Sequence, residues 1–159
     1  MKGDLRLRNR QRARTVDVRL LRRALTHMLT ELPEAGEFDI TIHLVNALTM
    51  ARLNEKHLQH TGPTDVITLD YADKNELAGL TGEIFICVNV AANQARRFRT
   101  SWPLELARYA IHGILHLAGH DDRRPAARRR MKQAENRWLN KLDRRFRLSK
   151  LARKPRLAP

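Results

Sequence analysis

Short segments with a two-residue hydrophobic repeat alternate with amphipathic helical segments, and this order constrains the fold more than any other feature. A repeat of two places apolar side chains on one face of a strand, whereas a repeat near 3.6 places them on one face of a helix. The segments with strand character are 5–8, 38–45, 66–69 and 83–88. The helical segments begin at Asp17, Asn46, Val88, Pro103 and Pro125. The order β-α-β-α-β-β-α-α-α predicts an α+β fold, in which helices pack on a four-stranded mixed sheet.

The length and cysteine content fit a small intracellular domain. The chain has 159 residues, enough for one domain with its own core, and Cys87 is its single cysteine. No repeat or linker divides it, so we expect a domain over residues 1–148 and a basic tail over 149–159. No apolar run approaches the ~18 residues of a membrane span, and no apolar segment follows the basic N-terminus. We therefore expect a soluble, cytoplasmic protein without a secretory signal.

The net charge of +14 is concentrated at the two ends of the chain. Residues 1–24 carry a net charge of +7, residues 25–122 carry −6, and residues 123–159 carry +13. Cationic surfaces of this kind bind polyanions by displacing condensed counterions, which favours nucleic acid as the partner. The predicted nucleic-acid-binding residues lie at the start of the basic C-terminal segment, namely Arg123, Arg124, Arg128 and Arg129.

Four potential metal ligands lie close together near the middle of this charge pattern. His112 and His116 are four residues apart, so a helix places both imidazoles on one face, where they can bind one tetrahedral metal ion. On a continuous helix His120 would lie about 12 Å from His112 along the axis, too far to share that ion. Gly119, however, is typical of a residue that ends a helix and reverses the chain. Beyond that turn, either His120 or Asp122 can supply the third ligand.

Other interpretations of these residues are weaker. The zinc-protease motif has a glutamate after its first histidine as the general base, and this chain has Gly113 there. His57 and His60, which flank a polar turn, are more typical of solvated helix ends than of ligands. Two histidines at this spacing are also often incidental, and it is the further ligand types beyond Gly119 that favour a metal site.

The pattern His112-Gly-x-Leu-His116-Leu-x-Gly119-x-Asp resembles the signature of the YbeY family, bacterial endoribonucleases of rRNA maturation and ribosome quality control. Leu-Asn at 53–54, Pro-Thr-Asp-Val-Ile at 63–67 and Gly-Glu-Ile at 82–84 are similar to further family motifs. The resemblance covers roughly residues 1–148. It implies a zinc-binding α+β fold with one ion per chain. It also implies single-stranded RNA as the substrate and a role at the 3′ end of small-subunit rRNA.

Two positions depart from the family pattern. Asp122 stands where the family usually has a third histidine, and a carboxylate binds zinc at a similar distance, so we expect the metal to be retained. The family's catalytic arginine aligns with Leu58, which cannot contact phosphate. Arg108 lies one turn before His112 on the same helical face, and we predict that it is the catalytic cation instead. The alternative for Arg108 is a simple ion pair with Glu105.

Three classes of function follow from these features. The first is a metal-dependent endoribonuclease, in which His112, His116 and Asp122 hold zinc and the basic ends bind RNA. The second is a ribosome-assembly factor that binds rRNA and keeps zinc for structural reasons, which the absent family arginine favours. The third is a metallohydrolase with another substrate, such as a peptide or nucleotide, against which the charge distribution and the missing glutamate count.

Overall fold

A computed structural model describes residues 3–58, 65–72 and 79–153. The four strands are β1 (Asp4–Asn9), β2 (Asp39–Val45), β3 (Val66–Asp70) and β4 (Thr81–Cys87). The five helices are α1 (Val18–Glu31), α2 (Ala47–Leu58), α3 (Val88–Phe98), α4 (Trp102–Leu117) and α5 (Pro125–Phe146). Short 3-10 segments at Pro33–Ala35 and Leu148–Ala152 complete the described elements. The predicted α+β class and the predicted order of strands and helices are both confirmed.

The four strands form one mixed sheet in the order β1-β2-β4-β3. β2 pairs in parallel with both β1 and β4, whereas β3 runs antiparallel to β4. The register pairs Ile42 with Ile84 across β2 and β4. Because neighbouring side chains on a strand point to opposite faces, this register puts both isoleucines on one face of the sheet. That face carries the main hydrophobic core.

Helix α4 is the central helix of that core, and a glycine lets it lie close to the sheet. Ten of its sixteen residues are buried, including Leu106, Ile111 and Ile114. A Cβ atom added to Gly113 would lie 2.7 Å from Cγ2 of Ile84, closer than real Cβ contacts come. The residue after His112 therefore faces the sheet, and a glutamate in that position would collide with β4.

The opposite face of the sheet carries its own hydrophobic cluster. A second, smaller cluster forms there from Val45, Met50, Ile67 and Cys87, with side chains of α2 packed against it. Within the described parts of the chain, no helix is both long and apolar enough to cross a membrane.

The packed structure continues beyond the predicted domain boundary at residue 148. Leu148 and Leu151 are fully buried in the main core, and the N–H of Asp17 donates to the carbonyl of Leu151 at 2.8 Å. Any boundary between a domain and a basic tail therefore lies after Leu151. Residues 154–159, which include two of the four cations of the predicted tail, lie outside the described residues.

Candidate metal centre

A glycine turn ends α4 and reverses the chain. Gly119 has a φ of +100°, a left-handed conformation that side-chain-bearing residues rarely adopt. Its N–H donates to the carbonyl of His116 at 3.0 Å, and the N–H of His120 donates to the carbonyl of Leu115 at 3.0 Å. These two bonds satisfy carbonyls that the helix end would otherwise leave unpaired. The predicted break at Gly119 is confirmed, and residues 121–122 return beside α4.

This turn brings a carboxylate to the two histidines of α4. Asp122 Oδ2 lies 3.3 Å from Nε2 of His116 and 3.6 Å from Nε2 of His112. The imidazole rings meet edge to face with their centroids 4.5 Å apart. One potential ligand atom from each of the three residues lies within 4.8 Å of the others. Within the described residues His120 is not part of this group, so the geometry favours Asp122 of the two third-ligand candidates.

A fourth residue, which the sequence analysis missed, fixes the orientation of His112. Oε2 of Glu135 on α5 lies 2.6 Å from Nδ1 of His112. Glu135 is only 8% exposed, so its carboxylate is held between the two helices. A carboxylate behind a ligating imidazole sets its tautomer and raises its basicity. The sequence signal was an acid four residues after Met131, on the apolar face of the otherwise basic α5.

The surroundings of His112 raise its pKa above the ordinary value. Burial alone would lower that pKa, since it disfavours the imidazolium. The hydrogen bond and charge of Glu135 outweigh burial, with further contributions from Asp122 and Asp65. Three carboxylates therefore create a local demand for positive charge around this imidazole, and a bound metal cation would meet the same demand.

Arg108, the predicted catalytic cation, has a partner other than the expected one. Its Nη1 donates to Oδ1 of Asn136 at 2.8 Å and lies 3.5 Å from Oε1 of Glu135. Both partners are on α5, so Arg108 contributes to the contact between the helices. The alternative of a simple pair with Glu105 does not describe the hydrogen bond that the structure gives this side chain.

A cavity of about 520 Å³ opens beside the three potential ligands. Its lining includes Phe98, Arg108, His112, Asp122, Arg128 and Lys132. Tyr109 also faces it, and burial together with Asp65 and Glu105 raises the pKa of its phenol, so this group stays protonated. The cavity thus combines the metal-ligand atoms, three cations, further carboxylates and one exposed aromatic ring.

The four predicted RNA-binding arginines lie in two positions relative to this cavity. Arg128 lines its wall, and Arg129 lies with Arg128 and Lys132 around a neighbouring depression. Arg123 and Arg124 are exposed in the turn between Asp122 and α5. All four therefore lie on the side of the molecule where α4 and α5 meet.

The donor set fits a metal ion of borderline softness. Two imidazoles and a carboxylate are ligands that zinc accepts, with a further position left for water or substrate. Fold and site together thus define a small α+β protein with a candidate His-His-Asp metal centre beside a cavity that holds both cations and carboxylates. A sequence model of the family described as endoribonuclease YbeY matches residues 6–143. The chain belongs to the YbeY family, an enzyme family named for the hydrolysis of RNA.

Individual proteins that are similar in sequence to this chain carry the same family name. An endoribonuclease YbeY from Chlorobium luteolum is 44% identical over 93 residues, which are 58% of this chain and 66% of that protein. One from Salinibacter ruber is 30% identical over 134 residues, covering 80% of this chain and 85% of the relative. The solution structure of TM1509 from Thermotoga maritima has a TM-score of 0.67 and 23% identity, covering 98% of this chain and 99% of that one. This last likeness shows the fold alone.

Some residues named in the sequence analysis lie outside the part of the chain that the structure describes. His60 and the Pro63-Thr64 dipeptide lie outside the described residues, as does the side chain of Leu58. His57 is exposed at the last turn of α2, as predicted for a solvated residue.

Proposed function

We propose that this protein is a zinc-dependent endoribonuclease of single-stranded RNA, which acts in the 3′ maturation of small-subunit (16S) rRNA and in ribosome quality control in the cytoplasm. The observation that carries the proposal is the convergence of His112, His116 and Asp122 beside a cavity with three cationic side chains in its wall. Membership of the YbeY family supports an activity on RNA, and the donor set supports one zinc ion per chain.

The metal would be held by His112, His116 and Asp122. Zinc bound there would supply Lewis-acid activation of water and of a phosphoryl oxygen at neutral pH. Glu135 keeps Nδ1 of His112 occupied, so that Nε2 remains directed toward Asp122. The buried contact between α4 and α5 therefore presets the ligand geometry before any metal binds.

The cations around the cavity suit a phosphodiester backbone. Arg128 and Lys132 line its wall, so phosphates of a bound strand can approach them directly. Arg123, Arg124 and Arg129 extend this positive surface along the start of α5. We assign Arg108 to the phosphoryl oxygen that gains charge during cleavage, because it lines the cavity one helical turn before His112.

Phe98 supports the preference for a single strand. Its ring is 63% exposed at the edge of the cavity, beside the guanidinium of Arg97 at 5.4 Å from the ring centroid. Unpaired bases stack on such rings, whereas bases inside a duplex are already stacked on one another. A nucleotide flanking the cleaved bond could therefore rest on Phe98.

The proposal is tested by comparing chelator-treated and zinc-restored protein on matched RNA substrates. We expect cleavage of single-stranded RNA and of small-subunit rRNA precursors only after zinc is restored. The same sequence in a perfect duplex should resist cleavage. Asp122→Ala protein, treated in the same way, controls for a contaminating nuclease. Zinc-independent cleavage, or equal cleavage of the duplex, would contradict the proposal.

A second function is an rRNA-binding assembly factor with a structural zinc. The observation that favours it is the engagement of Arg108 by Asn136 and Glu135, since that guanidinium must rearrange before it can serve a phosphate. Under this alternative, zinc-loaded wild-type protein binds rRNA precursors tightly and leaves them intact. Removal of zinc then lowers the thermal stability without any catalytic effect.

A further inference from the structure

A second basic surface lies on the other flank of α5. A groove of about 660 Å³ runs between α1 and α5, and we call it the α1–α5 groove. Its lining includes His27, Glu31, Arg137, Lys141, Arg144 and Arg145. Four of these side chains are permanent cations and one is a carboxylate. None of them lines the cavity beside the candidate metal centre.

The helical repeat explains why the two surfaces are separate. Arg130, Arg137, Lys141 and Arg144 follow at intervals of seven, four and three residues, so they form one stripe along α5. Arg128 and Lys132, which line the metal cavity, lie about half a helical turn away from that stripe. The stripe extends for about 21 Å along the axis, since each residue adds 1.5 Å.

Only part of the positive charge in the groove is neutralised by the protein. Glu31 Oε2 lies 2.5 Å from Nζ of Lys141, and Glu31 Oε1 lies 3.1 Å from Nε2 of His27. Within the described residues, Arg137 and Arg144 form no ion pair or hydrogen bond with a carboxylate. Two guanidinium groups without counter-charges beside a third cation repel one another, and a bound anion would relieve that repulsion.

An aromatic ring at the end of the groove positions further cations. The guanidinium of Arg23 lies 5.8 Å from the centroid of the Phe146 ring, and that of Arg145 lies 5.6 Å from it. His27 meets the same ring edge to face at 5.7 Å. Guanidinium groups that rest on a ring have fewer conformations to lose when a phosphate binds.

We propose that the α1–α5 groove binds the sugar–phosphate backbone of an RNA segment other than the one at the metal centre. A phosphate strand offers regularly spaced anions to a row of cations, and it releases its counterions on contact. A membrane surface fits less well, because the exposed large hydrophobic residues Leu48, Tyr71 and Phe98 all lie outside the groove. This inference rests on RNA as the ligand of the proposed function, but it does not require cleavage.

Two contacts on one RNA would also explain the extent of the positive surface. When one segment is bound in the metal cavity, a connected segment reaches the groove at a high effective concentration. Affinity for a long RNA then exceeds the affinity of either surface alone. The groove would thus favour a large, structured substrate such as an rRNA precursor over a short fragment.

The test compares RNA binding by two pairs of charge-removing substitutions in metal-free protein. The groove variant carries Arg137→Gln and Arg144→Gln, which break no ion pair within the described structure. The control variant carries Arg52→Gln and Lys56→Gln, two exposed cations of α2. The probe is a long single-stranded RNA, and the readout is the dependence of Kd on salt concentration.

We expect the groove variant to flatten the log–log salt slope by about 1.4, since each phosphate contact with a single strand contributes about 0.7. The control variant should keep the wild-type slope. Combining the groove substitutions with Arg128→Gln should give additive losses, as two separate surfaces require. Equal salt slopes for the groove and control variants would overturn the inference. Because the assay contains no metal, it measures RNA binding alone, and its result does not depend on whether the zinc-loaded protein cleaves RNA.

Discussion

In the described part of the chain, two histidine–carboxylate pairs each join one buried and one half-buried side chain, one pair between helices and one on the sheet. In the first, Nδ1 of His112 lies 2.6 Å from Glu135 Oε2. In the second, Nε2 of His43 on β2 lies 2.5 Å from Glu83 Oε2 on β4. The two pairs use the same chemical groups at nearly the same distance. They differ in what the other nitrogen of each imidazole meets.

The free nitrogen of His112 is directed into a set of donors, whereas that of His43 is not. Nε2 of His112 faces Asp122, with His116 beside it. Nδ1 of His43 is buried and has no hydrogen-bond partner in the described structure, and its ring stacks on Phe85 with centroids 4.4 Å apart. A histidine–carboxylate pair is therefore not by itself a sign of a metal site. The metal site differs because two further ligand groups, from His116 and Asp122, converge with the free nitrogen of His112.

The largest expected effect is loss of the metal from the first site. His112→Ala, His116→Ala and Asp122→Ala each remove one of three ligands, so we expect purified variants to contain almost no zinc. Elemental analysis after dialysis against trace zinc measures this. The matched controls are His120→Ala, in the same turn, and His43→Gln, in the second pair, and both should keep one zinc per chain. Zinc that survives in Asp122→Ala but disappears in His120→Ala would reverse the ligand assignment.

The first site also shows which parts of a site can be predicted from sequence. His112, His116 and the Gly119 turn are close in sequence, so helical geometry was enough to bring them together. Geometry alone left His120 and Asp122 as alternatives, because the path of the chain after a turn depends on how the next helix packs. Only the start of α5 decides that Asp122 returns to α4.

Contacts between distant elements could not be predicted in the same way. Glu135 meets His112 across 23 positions of sequence, and Arg108 meets Asn136 across 28. The repeat of apolar residues showed that α5 has a buried face, but not which residues of α4 that face would meet. The strand order was likewise open, since the hydrophobic repeats indicated strands without indicating their neighbours.

Arg108 provides the next largest effect, because its guanidinium lies 3.5 Å from the carboxylate of the first pair and also lines the metal cavity. If its guanidinium stabilises charge on the phosphoryl group, Arg108→Ala should lower kcat about a hundredfold. The zinc content and the thermal stability of the metal-loaded protein should change little. Arg10, which contributes charge near Glu83, supplies the control, since Arg10→Ala should leave kcat unchanged. An unchanged kcat in Arg108→Ala would limit this residue to the packing of α4 against α5.

The two carboxylates themselves can be compared by the same substitution. Glu135→Gln keeps the size of the side chain but removes the charge behind His112, so we expect zinc affinity to fall about 10- to 100-fold. The pKa of His112 in the metal-free protein should also fall, because Glu135 is the main group that raises it. Competition with a fluorescent chelator and NMR titration of the ring measure the two effects. Glu83→Gln should change neither quantity, and an equal loss in both variants would contradict a specific role for Glu135.

An exposed aromatic side chain lies near each pair, and the two differ in whether a hydrogen bond holds them. The hydroxyl of Tyr71 donates to Glu83 Oε1 at 2.9 Å, and the side chain is 54% exposed. Phe98 has no polar group to satisfy and lies at the metal cavity. Phe98→Ala should weaken binding of single-stranded RNA about tenfold, a value within the range for loss of one stacked base.

Conservative variants separate stacking from general packing at Phe98. Phe98→Tyr should keep the wild-type RNA affinity and Phe98→Leu should lose it, because only an aromatic ring offers a face on which bases stack. Leu48, which is 62% exposed on α2, is the matched control, and Leu48→Ala should have no effect on binding. Quenching of a fluorescent base analogue in the RNA reports the stacking directly. Full binding by Phe98→Leu would show that the ring is not a platform for bases.

The smallest expected effect concerns the acid stability that the second pair provides. Burial alone would raise the pKa of Glu83, but hydrogen bonds from His43 and Tyr71 outweigh it and hold this pKa below its ordinary value of 4.5. A carboxyl group with a lowered pKa stabilises the folded state above its unfolded-state pKa, and this contribution is lost as the pH falls through the folded-state value. Metal-free wild-type protein should therefore lose part of its unfolding free energy below about pH 4.5. The Glu83→Gln protein should have a lower unfolding free energy at neutral pH, and this free energy should change less across the acid range. Tyr71→Phe should give an intermediate result for both. Denaturant titrations at a series of pH values, with chelator present to exclude effects of zinc release, measure these curves. Parallel curves for wild type and Glu83→Gln would mean that the second pair contributes no ionic stabilisation, and that its imidazole and carboxylate are held together by packing on the sheet alone.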